Sequence, residues 1–337
     1  DQGLIGGQTT IPIGPLRLLD TAKGNREQTG KIIADALDEE SWLTKVEPEH
    51  FYAVGGSFRA LAHIHMHKRD YPLDIVHQYA VKTMPMRKFL KEIINTPAEI
   101  LAKVPGAPAK RVESLIPAAQ VLDRVLEITH PVDVVFCSSG IREGYLYERL
   151  TPFVRNEDPL IASCTDLASQ NGRVPGYARE LFAWMMPMFG REHENEQRLR
   201  LAACILSELA WRIHPDYRAE WAFNRIIQST LTGLSHDERV TLALALYHRY
   251  QYKLKNNSQI VSLIKDKEKA WAKVVGTAAN LAFQLSGGMA GNLANVALSL
   301  KKGRLEVAFT EDAQDLLADT VRKRIDGLGE AFREIAK

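Results

Sequence analysis

The sequence predicts an α/β domain, then an all-α domain, then a small α+β tail. Three observations carry this reading. Up to about Leu150 short apolar strands alternate with helical segments. From about Pro152 long helical segments follow one another with few strand signals between them. Near the end two apolar stretches of strand period face each other across a Lys-Lys-Gly-Arg turn. The resulting boundaries are 1–150, 151–290 and 291–337.

The chain opens on Asp1 rather than Met, and Ile11 and Ile13 alternate with small or turn residues after Gly6-Gly7. This pattern predicts the second arm of a hairpin. A strand needs a partner, and its natural partner would lie upstream of Asp1, so the chain is expected to be a fragment. The clearest strands are Phe51–Val54 and Val132–Cys137, whereas Gln120–Ile128 carries apolar residues at helical spacing. In the second domain helices are expected over Tyr177–Phe189, Arg198–Arg212, Glu220–Gln228 and Asp237–Tyr250. In the tail, Val296, Leu298 and Leu300 pair with Leu305, Val307 and Phe309, and an amphipathic helix runs from Glu311 to about Ile335.

Composition bounds the functional classes. With 337 residues, 45% of them hydrophobic, the chain can bury a substantial core in two or three domains. No run approaches the roughly 20 apolar residues of a membrane span, and no leader pattern is present, so a cytoplasmic protein without a membrane partner is expected. Cys137, Cys164 and Cys204 stand far apart, which argues against a disulfide framework or a thiolate metal site; all three read as core residues. A net charge of +2 neither demands nor excludes a polyanionic ligand, and no specific nucleic acid is expected.

The most specific local signal is AVGGSFRALA at 53–62, where a strand ends in two glycines and passes straight into a helix. Gly55 and Gly56 permit a tight turn and a close ligand approach. Ser57 is positioned to cap the helix, and Arg59 could add a forked donor to a phosphate at the helix N-terminus. A plain strand-to-helix turn explains the glycines equally well. The second signal, VDVVFCSSGIREGYLYERL at 132–150, repeats the plan: Ser138, Ser139 and Gly140 form the turn, and Arg142 and Glu143 open the helix. A carboxylate suits that end of the helix dipole and an arginine does not, so Arg142 faces either a ligand or an acidic neighbour.

With the opening IPIGPLRL, these segments resemble the Ppx/GppA phosphatase family of exopolyphosphatases and guanosine-pentaphosphate phosphohydrolases. LRLAACILSELAWRIHPDYRAEWAF at 199–223 resembles the helical domain of its α-proteobacterial branch. The resemblance spans essentially the whole chain. It implies that residues 1–150 are the second lobe of an actin-like ATPase (ribonuclease H-like) fold, followed by an HD-like helical domain. Asp1–Gly7 loosely mimics the family's phosphate loop but is offset from it, so that loop and the first lobe are expected upstream. The catalytic glutamate and the acids associated with Mg²⁺ belong to that lobe, and no residue here inherits their roles. Gly55, Gly56, Ser57, Arg59, Ser139, Gly140 and Arg142 become the expected phosphate-binding residues, facing inorganic polyphosphate or guanosine penta- or tetraphosphate, in a homodimer. The non-catalytic alternative is a polyphosphate- or alarmone-binding and dimerisation module.

Several tempting groups carry less. The HD fold holds metal through a His-Asp pair where this chain has Ser207-Glu208, and Glu208 with His214 leaves the ligand set incomplete. No metal is expected there, which disfavours an HD-type phosphohydrolase. His236-Asp237 lies within Ser235-x-x-Glu238, a capping box. His63, His65 and His67 lack the glutamate of a metalloprotease motif and read as a partly exposed helix end.

Overall fold

The computed structural model describes residues 6–107, 111–171, 176–190, 192–254, 259–301 and 303–335. It divides into two compact units that meet at Leu150 and Thr151.

The first unit runs α1 (Pro15–Ala22), α2 (Arg26–Asp38), β1 (His50–Val54), α3 (Gly56–Lys68), β2 (Tyr79–Lys82), α4 (Thr83–Asn95), α5 (Ala98–Leu101), α6 (Val112–Thr129), β3 (Asp133–Cys137) and α7 (Ile141–Glu148). Its sheet has the order β1-β3-β2, with β1 parallel and β2 antiparallel to β3. Val134 and Phe136 alternate along β3 toward one face, where with Ala53, Tyr79 and Val81 they meet apolar residues of α3, α4 and α6. The apolar residues of α6 recur at helical spacing, and Leu115, Leu122 and Leu126 are fully buried. A second cluster sets Ile13, Leu18, Ile33 and Leu37 against Val121, Val125 and Ile128 of the same helix.

The hairpin expected near the start is not formed by the described residues. Residues 6–14 are irregular, and Pro15 opens α1 instead. Proline is favoured at the first helical position, where its missing N–H costs nothing. Ile11 and Ile13 bury against α1 and α2 rather than pairing with a strand. Residues 1–5 of the phosphate-loop mimic lie outside the described residues. Cys164 and Cys204 are core residues as expected, but Cys137 is only half-buried, because it ends β3 beside a loop.

The second unit runs α8 (Pro152–Arg155), α9 (Pro159–Asn171), α10 (Tyr177–Met185), α11 (Glu194–Ile205), α12 (Arg218–Gln228), α13 (His236–Tyr250), α14 (Asp266–Ser286), β4 (Val296–Lys301), β5 (Arg304–Phe309) and α15 (Asp319–Ile335). Buried residues occur all round α13 and α14, which form its centre. The α13 start is the capping box the sequence indicates: Ser235 Oγ accepts from the Glu238 N–H and Glu238 Oε2 accepts from the Ser235 N–H. The helix expected through Arg212 stops at Ile205, and Arg218 bonds the Trp211 and Ile213 carbonyls in the turn that follows. The hairpin pairs as its pattern predicts, from Val296 opposite Phe309 to Lys301 opposite Arg304. The last helix starts later than expected, because Glu311–Leu316 forms a tighter 3-10 turn. No helix of the described residues is long and apolar enough to cross a membrane.

Two buried histidines make stability pH-dependent. His65 lies against Tyr79 and Phe89, and His248 lies near the end of α13. Burial first, aided by nearby Arg69 for His65, lowers each to about 4. In the unfolded chain both titrate near 6.5. Between these values the unfolded state binds more protons, so this stability is complete above pH 6.5 and lost as pH falls toward 4. The loss is up to roughly 3 kcal/mol per histidine. Thermal melts across that window should show the decline above the range where carboxylates titrate, and His65→Gln with His248→Gln should flatten it. An unchanged slope in the double variant would refute the assignment.

Candidate functional site

The two glycine- and serine-rich turns come together because β1 and β3 are parallel neighbours. Val54 pairs with Cys137 at their common ends, so Gly55 and Ser138 leave the sheet side by side. Crevices beyond the carboxyl ends of parallel strands are the usual ligand sites of α/β folds.

Gly55 has φ 131° and ψ 160°, a conformation open essentially to glycine alone. It occupies the cap position of α3 and offers no side chain to the free amides of the first turn, so that end of a 13-residue helix is electropositive. Ser57 does not cap. It lies inside the helix, and its Oγ is 3.4 Å from Ser114 Oγ of α6. The expectation failed because the helix begins at Gly56, one residue before Ser57.

Arg59 is half-buried and donates from Nη1 to the Ser138 carbonyl at 2.7 Å. It therefore ties the two turns together, and its remaining N–H groups are left for a ligand. Ser139 and Gly140 are partly exposed on the second turn, where the Gly140 N–H donates to Glu143 Oε2 at 2.7 Å. That amide is committed to the helix's own carboxylate, so of the two helix starts α3 is the more open. The bonds from the Gly140 and Glu143 amides, followed by the charges of Arg142 and Arg59, hold the Glu143 carboxyl below the usual range. Arg142 is exposed, and its charge acts on the adjacent Glu143 without an ion pair between them among the described residues. His77 joins the second turn: its Nδ1 accepts from the Ser138 N–H at 3.4 Å and lies 3.7 Å from Cys137 Sγ.

Sequence reasoning missed Arg111. A Cβ built on Gly56 would come 1.5 Å from Arg111 Nη1, so this guanidinium lies directly over the start of α3. Arg111 has no hydrogen-bond or ion-pair partner among the described residues and is exposed to solvent. Glycine at 56 thus makes room for a cation of the chain itself, where the sequence suggested room for a ligand alone. Arg111 precedes α6 in a stretch without a motif, and only the packing of α6 on α3 brings it here.

Three arginines, an open helix start and one engaged carboxylate leave this wall with an excess of positive charge. It does not fit Mg²⁺. That ion is usually held by one or two carboxylates together with phosphate oxygens, and Glu143, the carboxylate at these turns, is already engaged by the Gly140 amide.

Residues 16–153 match the model of the Ppx/GppA phosphatase family, and residues 160–333 match that of the exopolyphosphatase C-terminal region. No curated protein matches the chain.

Proposed function

The chain belongs to the Ppx/GppA phosphatase family, and from that premise we propose that the wall formed by the starts of α3 and α7 binds the terminal phosphates of inorganic polyphosphate or guanosine pentaphosphate. The observation that supports this best is that Arg59 bridges the two side-by-side turns and Arg111 lies over the start of the uncapped helix α3, with Arg142 in the first turn of α7. A phosphoanhydride end carries several negative oxygens in a row. Backbone amides bind such oxygens at short range, and forked guanidiniums neutralise them.

In hydrolysis, developing charge on the terminal phosphoryl oxygens would be stabilised by the α3 amides and these arginines. Because Glu143 is engaged in capping, we read the water-activating glutamate and the Mg²⁺ ligands as belonging to another lobe of the enzyme. The helical unit we read as HD-like without its metal motif, since Ser207-Glu208 stands where the metal pair would be.

The test is polyphosphate affinity measured at a series of fixed salt concentrations, with phosphate release followed in Mg²⁺. Affinity should fall steeply with salt, and Arg59→Ala should weaken binding by about 1.5–3 kcal/mol, as expected for charge-assisted hydrogen bonds. Binding without release would leave the binding-module reading in place of catalysis by this chain. A folded Arg59→Ala chain that binds like the parent would remove the site.

A further inference from the structure

The second turn also carries a thiol. Cys137 is the last residue of β3, is half-buried, and is the one cysteine of the first unit. Val134 and Phe136 point into the helix-covered core, so strand period puts Cys137 on the opposite face of the sheet. The turn before β2 brings His77 to it. Gln78 has φ 66°, in the left-handed region, and its N–H donates to the Phe136 carbonyl at 2.8 Å. That bond holds the preceding residue against the end of β3, where His77 Nδ1 lies 3.7 Å from Cys137 Sγ.

The tautomer of this imidazole follows from its second contact. The Ser138 N–H can only donate, and it donates to the same Nδ1 at 3.4 Å. Nδ1 therefore presents a lone pair, and the neutral ring carries its proton on Nε2. The Cys137 thiol is left as a donor to a nitrogen that can take its proton. Arg59 adds positive charge beside it, because its Nη1 bonds the Ser138 carbonyl at 2.7 Å. A base within reach, a neighbouring cation and partial exposure are the surroundings in which thiols react as nucleophiles.

Two simpler readings explain less. A purely structural thiol is expected to be inert and fully buried, as Cys164 and Cys204 are, whose thiols burial pushes up to about 12. A thiolate metal site needs further ligands, and no group of three His, Cys, Asp or Glu able to hold one occurs among the described residues. We propose that Cys137, with His77 as its proton acceptor, is a site of oxidation by hydroperoxides. The sulfur attacks the terminal peroxide oxygen, so that an S–O bond forms as the O–O bond breaks. The thiol proton passes to His77 Nδ1 and from there to the departing oxygen, which leaves as water or an alcohol. Sulfur loses two electrons to become a sulfenic acid, and the peroxide gains them. The inference rests on the Cys137–His77 geometry and stands whether or not the neighbouring arginines bind phosphate.

The experiment exposes the full chain to hydrogen peroxide, traps sulfenic acid with dimedone and maps the adduct by mass spectrometry. The adduct should form at Cys137 and not at Cys164 or Cys204, at least about tenfold faster than on glutathione under the same conditions. His77→Ala, with an unchanged melting temperature, should lose that advantage. Added imidazole should restore part of it, which it would not do for a merely structural histidine. The proposal is overturned if Cys137 reacts no faster than glutathione, if the buried cysteines react as fast, if a folded His77→Ala chain keeps the parent's rate, or if imidazole restores nothing. Should His77→Ala fail to fold, the parent's rate against glutathione decides.

Discussion

Replacing Glu192 by alanine should destabilise the helical unit by about 3–5 kcal/mol, the usual cost of leaving a buried charge without its partner. Arg200 is fully buried, and its Nε and Nη2 donate to the Glu192 carboxylate at 2.7–3.0 Å. A third donor bonds the Phe182 carbonyl at 2.9 Å, and the guanidinium lies between the rings of Phe182 and Phe189. Without Glu192 this cation keeps its aromatic cage but loses its only carboxylate partner among the described residues. The cost arises from the stranded charge more than from the lost attraction. Arg200→Met combined with Glu192→Leu should therefore be much milder than Glu192→Ala alone. Thermal or urea unfolding of the three chains decides this. A double variant less stable than the single one would show that the pair is a net source of stability.

At the proposed phosphate wall the largest effects are expected from the two glycines, for different reasons. Gly55→Val places a β-branched residue in a conformation essentially reserved for glycine, at a cost of about 1–3 kcal/mol, and should distort the start of α3. Gly56→Val meets no such backbone barrier. Its Cβ instead collides with the end of the flexible Arg111 side chain, which can swing away. Gly56→Val should thus fold and bind polyphosphate as weakly as Arg111→Ala. The two changes should be strongly non-additive when combined, since both remove one guanidinium. Polyphosphate affinity at fixed salt, with melting temperatures for each chain, tests both statements. Additive losses would mean that Gly56 acts by admitting the ligand rather than by seating Arg111.

Much of the candidate site is legible in the chain because turn chemistry is local. Strand, Gly-Gly, helix and strand, Ser-Ser-Gly, helix can each be read within about ten residues, from side-chain period and the special conformations of glycine. The same holds for the capping box at Ser235 and the hairpin of β4 and β5, whose partners are near in sequence. The N-terminal hairpin failed as a prediction because strand alternation is only half of a strand. Ile11 and Ile13 have the right spacing, but they find helices α1 and α2 rather than a pairing edge.

By itself, then, the sequence determined the order of an α/β part and a helical part, the two turns, and the family to which they belong. Tertiary structure alone decided that the turns are neighbours, because the register of β1 on β3 joins residues 83 apart. It decided that Arg59 bridges them and that Ser57 does not cap. It also decided that Arg111 lies over Gly56. A side chain's partner across a fold depends on how buried faces pack, and neither period nor local propensity encodes that distance.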